Sequence, residues 1–217
     1  MTTVILPVWA MAAGLLGGLV AVLPLPWRLR MLAIPLMLPL LWPAVPRPAE
    51  GRFEMVAVDI GQGTALLLRT RRHLLLYDAG PSFSPDSDAG SRLVVPLLRW
   101  RGEARIDHLV LSHRDTDHMG GAGAVLAALP VHRLSSSLEE GHPLLVQAHR
   151  AGTALRRCEA GQQWQWDGVR FEMLHPVAAD YTVPGVRPNG LSCVLRISSA
   201  DDSVLLTGDI EAAQEAA

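Results

Sequence analysis

Between Ser112 and Gly121 the chain reads SHRDTDHMGG, which sets His113, Asp115, Asp117 and His118 within six residues and follows them with two glycines. Imidazole nitrogens and carboxylate oxygens at this density are what a divalent cation selects. In extended chain alternate side chains point the same way. His113, Asp115 and Asp117 can therefore face one point while His118 turns in as a helix begins. Gly120 and Gly121 would let backbone approach closely. A chance cluster of polar loop residues would not explain why an apolar run, Ile106 to Ser112, ends in it. The chemistry expected of the stretch is metal binding.

Those residues need a frame. Ile106 to Ser112 reads as a short strand and Gly120 to Leu129 as an Ala-rich helix stopped by Pro130. Strand, ligand-rich loop and helix, in that order, let side chains at a strand's end converge while the helix packs the strand down. Upstream, Phe53 to Ala57, Thr64 to Arg69 and His73 to Tyr77 are short apolar runs parted by Gly61-Gln62-Gly63 and Arg71-Arg72, as three strands joined by tight turns would be. A loop rich in Pro, Ser, Asp and Gly spans Gly80 to Ser91, and Arg92 to Arg101 is expected as a helix interrupted near Pro96. Downstream, strands are expected near Val131 to Ser135, Val169 to Leu174, Ser192 to Ser198 and Ser203 to Leu206, with a helix around Leu144 to Arg156. Trp164 and Trp166 alternate on a hairpin strand that leads into a turn at Asp167-Gly168, where packing is favoured over base stacking. The sum is a layered α/β domain with mixed sheets.

The opening of the chain is different material. Residues 1 to 49 contain no Asp or Glu and three charged side chains, Arg28, Arg30 and Arg47. Two apolar runs, Val4 to Pro26 and Leu32 to Val45, predict two membrane-spanning helices over residues 1–46. A Pro-rich linker at 47–52 and a globular domain at 53–217 follow. Pro35, Pro39 and Pro43 are tolerated in a membrane where neighbouring helices supply partners, so this end is expected to belong to a larger bundle. The arginines stand between the apolar runs rather than before them, unlike a secretory leader. The positive-inside tendency then sets Arg28 and Arg30 on the cytoplasmic side and the domain on the outer side.

Without those three arginines, 19 − 3 = 16 basic residues stand against 21 acidic ones, a balance of −5, and every basic residue is Arg. Such a domain lacks the broad basic footprint of a dedicated nucleic-acid binder. A nucleic acid would have to be held by a local Arg patch or by metal.

Weaker features carry plainer expectations. Cys158 and Cys193 are read as free buried thiols, although a disulfide is permitted if the domain lies outside the cytoplasm. Asp78 ends a strand near the site and is expected to hydrogen-bond the loop rather than touch a metal. Asp59 is expected as a turn former, and Asp88 is left open. His175, before Pro176, is expected at a strand end rather than as a ligand, and His73, His108, His132, His142 and His149 at the surface or in loops. Arg69, Arg71 and Arg72 are expected as solvated charge at a hairpin tip.

SHRDTDHMGG resembles the His-x-His-x-Asp-His signature of the metallo-β-lactamase superfamily, with Asp115 in place of the second histidine. Val58 to Thr64, Leu76-Tyr77-Asp78-Ala79-Gly80 and Thr207-Gly208-Asp209 match other marks of it in order, and Asn189-Gly190-Leu191-Ser192 stands where a third His motif usually lies. The combination resembles the C-terminal domain of the ComEC family, membrane proteins of natural transformation that carry single-stranded DNA across the inner membrane. The resemblance implies an αββα sandwich after two transmembrane helices. The family continues past Thr-Gly-Asp with a further strand and a His-His-Gly-Ser motif, so the resemblance implies a sandwich incomplete at its C-terminus.

Residue by residue, it implies that His113 and Asp115 serve one metal, Asp117 and His118 a second, and Asp209 bridges them. Asn189 and Ser192, with Asp78, would stand in the substrate or supporting shell, and Asp117 would orient or deprotonate the attacking water. Exchanging His for Asp and Asn favours oxygen-seeking ions, so two Mn²⁺ are expected, with Zn²⁺ or Mg²⁺ possible. The implied function is a metal-dependent phosphodiesterase acting on DNA at the outer face of the inner membrane, partnered by single-stranded DNA, membrane lipid and other DNA-uptake proteins. The alternatives are a catalytically silent DNA- or partner-binding module and, less favoured, a hydrolase of small thioesters or β-lactams.

Overall fold

The computed structural model describes residues 8–41 and 46–216. They form two compact units, residues 1–46 and 47–217. In the first, helices α1 (Val8–Val22) and α3 (Ala33–Leu41) pack together around the short α2 (Trp27–Arg30). A Cβ on Gly14 or Gly17 would collide with Leu40, Leu36 or Met37, so small residues let the two helices close on each other. At about 1.5 Å per residue, the 15 residues of α1 and 9 of α3 fall short of the roughly 30 Å of a bilayer core. Among the described residues no helix is long and apolar enough to cross a membrane. Parts of both expected spans lie outside the described residues.

The second unit is built on a six-stranded sheet in the order β1 (Glu54–Ala57), β2 (Leu66–Arg69), β3 (Leu74–Tyr77), β6 (Ile106–Leu111), β7 (Val131–Ser136), β8 (Ala154–Arg157). Between β3 and β6 lie a small hairpin, β4 (Ser82–Ser84) and β5 (Ser87–Asp88), a π-turn at Gly90–Val94, and α4 (Val95–Trp100). Strands β1 to β3 are antiparallel, and β3, β6, β7 and β8 run parallel. Helices α5 (Thr116–Met119) and α6 (Ala122–Ala128) follow β6, and α7 (Pro143–Arg150) follows β7. The second sheet is antiparallel: β9 (Gln163–Trp166), β10 (Val169–His175), β11 (Val194–Ser198) and β12 (Ser203–Leu206), ahead of α8 (Ala212–Glu215).

Side-chain alternation sorts each central strand between two cores. Leu74, Leu76, Leu109 and Leu111 enter the core under α4, α6 and α7, while Leu75, Tyr77 and Val110 meet Phe171, Met173, Leu195 and Ile197 from the second sheet. Strands covered on both faces read as unbroken apolar runs, which is why Leu74 to Tyr77 and Leu109 to Leu111 show no polar position. Truncating Leu76 or Leu109, each fully buried, to Ala would cost about 2–5 kcal/mol.

Several expectations are corrected. Cys158 and Cys193 are joined in a disulfide; their buried positions at the ends of β8 and before β11 face one another, which no spacing reveals. The helix expected to Arg156 stops at Arg150, because residues 154–157 pair with β7 as a strand. His108 is buried on β6, its Nε2 2.8 Å from Ser135 Oγ and its ring against Trp164. Arg69 is buried too, paired with Glu54 and Glu103. The linker is tied to the domain: Arg47 pairs with Glu103 and reaches the carbonyl oxygen of His73.

Candidate metal centre

The ends of strands from both sheets build the site. Beyond β3 comes Asp78, beyond β6 come Ser112 and His113, and beyond β12 comes Asp209. Each side chain emerges just beyond the end of its strand, so the packing of the two sheets sets their separation.

Asp78 anchors the centre. Its carboxylate is fully buried; Oδ1 accepts from the Ser112 backbone N–H at 2.7 Å, and Oδ2 accepts from Ser112 Oγ at 2.8 Å and His118 Nδ1 at 2.8 Å. Burial raises its pKa, and the bonds from His118 and Ser112 oppose that rise. His118 donates its Nδ1 proton to Asp78, so Nε2 is the ring nitrogen facing outward, 3.3 Å from Asp209 Oδ1 and 3.8 Å from Asp117 Oδ2. Burial lowers the His118 pKa, but Asp78, Asp209 and Asp117 together raise it above the ordinary value.

Ser112 Oγ lies 2.9 Å from His113 Nδ1. Since its own proton goes to Asp78, it accepts there, which leaves the lone pair of His113 on Nε2. That nitrogen is buried and has no hydrogen-bond partner among the described residues; Asp115 Oδ2 is 3.5 Å away. Burial, then repulsion from His118, lowers the His113 pKa, so the ring is neutral and ready to ligate. A buried imidazole nitrogen left without a partner, beside a second imidazole and carboxylates, fits a divalent cation.

His113, His118 and Asp209 bring one donor atom each within 4.8 Å of one another. Asp115 and Asp117 stand beside this group rather than in it, with side chains 45% and 46% exposed. The extended run expected through Asp117 ends at Asp115, because a helical turn starts at Thr116; Asp117 and His118 thus leave the backbone in different directions. Ser192 is buried, accepts from the Asp209 N–H at 3.3 Å and lies 3.4 Å from His113 Nδ1. Asn189 caps the Ser192 N–H with its carbonyl, and no hydrogen bond joins its side chain to the cluster among the described residues. His175 instead donates Nε2–H to the Gly190 carbonyl at 2.9 Å. Asp59 is exposed, and Asp88 accepts from the Ser91 N–H.

Some contributors escaped the sequence reading. Ser112, which joins Asp78 to both histidines, was visible only as the first letter of the motif. Tyr77 donates its hydroxyl to the Cys193 carbonyl at 2.6 Å, and Cys193 N–H donates to the Ser112 carbonyl, so the disulfide bears directly on the turn carrying Ser192. Gly63 has φ +97, and a Cβ there would come within 2.0 Å of the Asp117 carbonyl oxygen. The Gly-Gln-Gly turn lies against the metal loop itself. A Cβ on Gly121 would strike the Ala79 carbonyl and Gly90, so the close approach expected of the glycine pair is observed.

A sequence model of the metallo-beta-lactamase superfamily matches residues 58–216. Among curated relatives, the chain is 32% identical to the uncharacterized protein YcaI of Escherichia coli over 80% of this chain and 21% of that protein. It is 36% identical to competence protein ComA of Neisseria gonorrhoeae over 75% of this chain and 20% of that one. It is 34% identical to recombination protein 2 of Haemophilus influenzae over 75% and 19%. The chain thus spans about a fifth of the length of the curated relatives it matches. The resemblance to the DNA-uptake family is borne out over the lactamase-like domain. By its fold, by the arrangement of its strand-end donors and by this match, the chain belongs to the metallo-beta-lactamase superfamily.

Proposed function

We propose that the domain is a metal-dependent phosphodiesterase acting on DNA within a membrane apparatus for DNA uptake. The observation that carries the reading is the pair of buried histidines whose Nδ1 protons are committed inward, to Asp78 and Ser112, leaving both Nε2 atoms toward three carboxylates. His113, His118 and Asp209 would hold the first ion, and Asp115 and Asp117 would complete a two-ion set. Three carboxylates to two imidazoles make an oxygen-rich site, which favours Mn²⁺ or Mg²⁺ over Zn²⁺. Divalent ions bound there would supply a water of lowered pKa and positive charge against an in-line displacement at phosphorus. Asp117, half exposed, would orient a water at the site and accept its proton. Ser192 holds the Asp209 backbone in place, and Asn189 would face the substrate from the same turn.

DNA is favoured as substrate because relatives of 34–36% identity are named for competence and recombination. The apolar residues 1–46 support attachment to a membrane, beside lipid and other uptake proteins. The disulfide supports an oxidising compartment on the outer side. The test is cleavage of single-stranded DNA with Mn²⁺, Mg²⁺ or Zn²⁺ by the chain and by Asp117→Ala. Metal-dependent cleavage by the first and not the second is expected. Cleavage that survives in Asp117→Ala removes the role given to Asp117, and no cleavage with any of the three ions overturns the enzyme.

One observation favours a second reading, a catalytically silent binding module: among the described residues only three donors converge within 4.8 Å. Metal content separates the two, at two ions per chain for the enzyme and one or none for the module.

A further inference from the structure

Beside the metal centre runs a groove of about 650 Å³. It opens at the same end of the sheet. Its wall includes Arg114, which sits between the site residues His113 and Asp115, and Leu191, which precedes Ser192. Ser137, also in the wall, donates to the Ser112 carbonyl at 2.8 Å. Groove and centre therefore share backbone on both sides.

Two guanidinium groups face this groove, and each is held by a glutamate. Arg114 Nη1 lies 3.2 Å from Glu139 Oε1, and Arg157 Nη2 lies 3.1 Å from Glu140 Oε1. The glutamate side chains are 82% and 91% exposed, so these pairs are weakly held and open to exchange. Arg157 has a second support, since its guanidinium carbon lies 4.7 Å over the ring of Tyr181. The Tyr181 hydroxyl donates to the Cys158 carbonyl at 2.7 Å, and Cys158 is bonded to Cys193 below the site. A covalent and hydrogen-bonded chain thus fixes Arg157 while leaving its partner anion replaceable.

We infer that this groove is the track for the substrate strand, in which backbone phosphates replace Glu139 and Glu140 at Arg114 and Arg157 and lead the scissile diester to the metal centre. The inference rests on the reading of the centre as a phosphodiesterase. It accounts for how a domain of net negative charge holds a polyanion: two guanidinium groups, Arg157 fixed over Tyr181 and Arg114 exposed beside the site, take the phosphates, and bidentate Arg–phosphate geometry supplies register. Tyr181 is a positioning residue, acting through Arg157.

The experiment is equilibrium binding of a fluorescent single-stranded oligonucleotide to the full chain in EDTA, across a salt series, with inorganic phosphate and a duplex as competitors. Arg114→Gln and Arg157→Gln should each weaken binding and lower the slope of log K against log salt by about 0.7, the value for one phosphate contact on a single strand. Glu139→Gln and Glu140→Gln should each tighten binding about two- to fivefold, the scale of an exposed ion pair removed as competitor. A gain of that kind cannot come from misfolding. Tyr181→Leu should behave as a weaker Arg157→Gln, and Tyr181→Phe, which keeps the ring under Arg157 but loses the bond to the Cys158 carbonyl, should fall between Tyr181→Leu and wild type. Oligonucleotide binding that is absent, or unchanged in both Gln-for-Arg variants, overturns the track, as does displacement by millimolar inorganic phosphate alone. None of these readings depends on turnover, so a track that binds beside a centre that never cleaves would fail the phosphodiesterase and spare the groove.

Discussion

Asp78 and Asp167 share a residue type and a backbone. They are the two non-glycine residues of positive φ among those described, at 58° and 49°, and both side chains are fully buried. Around Asp167 every neighbour answers it. Thr70 Oγ1, the Arg72 N–H, Arg72 Nε and His73 Nδ1 all donate at 2.7–3.0 Å. Burial works to raise its pKa, but those bonds hold it far below the usual carboxylate range. Around Asp78 the donors are a serine and an imidazole, and burial keeps its pKa raised. The first aspartate closes a network and welds the β9–β10 turn onto the β2–β3 turn. The second passes its hydrogen bonds through Ser112 to His113, whose Nε2 has no hydrogen-bond partner among the described residues, and through His118 to a nitrogen that faces Asp209. A complete network marks structure, and an incomplete one marks a site.

Acid should break the comparison most visibly, on the Asp167 side. His108, packed against Trp164 in that region, has its pKa lowered to about 3, by burial first and then by Arg133 and Arg156. The unfolded chain takes up this proton below about pH 6.5 and the folded one does not. Stability is therefore complete above pH 6.5 and falls as pH drops, on the order of 4 kcal/mol by pH 3. His108→Gln should flatten denaturant stability between pH 6 and 4; an unchanged slope would put the acid sensitivity elsewhere. Next in size, Asp167→Ala should cost about 3 kcal/mol of stability, from lost hydrogen bonds to a charged group, with metal content unchanged. Asp78→Asn should do the reverse, lowering metal affinity about 10–100-fold, as loss of a ligand's supporting carboxylate does, which calorimetric titration with Mn²⁺ would read. Ser112→Ala should be the mildest, costing about 1 kcal/mol with a few-fold loss of metal affinity. Were it as severe as Asp78→Asn, the serine and not the carboxylate would be the anchor.

The sequence showed the donors and hid their supports. His113, Asp115, Asp117 and His118 are legible because local spacing puts them on one loop. Asp209 is legible only through resemblance, since nothing near it names its partner. Thr70 and Asp167 meet across 97 positions, and Ser112 and Asp78 across 34; such pairs come from sheet register, which periodicity does not disclose. The same blindness put His108 at the surface and left two cysteines unpaired. Strand existence was readable from apolar runs. Strand order is not readable from them, and residues 144–156 read as one helix because nothing among them stops it more strongly than Gly152.

The unequal exposure of the donors bears on which of them can be exchanged. His113 and His118 are buried in a network whose loss would be felt by the fold, whereas Asp115, Asp117 and Asp209 are each nearly half exposed. Residues at those three positions can be exchanged with little structural penalty. Any preference among cations can therefore be changed at the rim without unfolding the domain, while the buried pair beneath is tied to the fold.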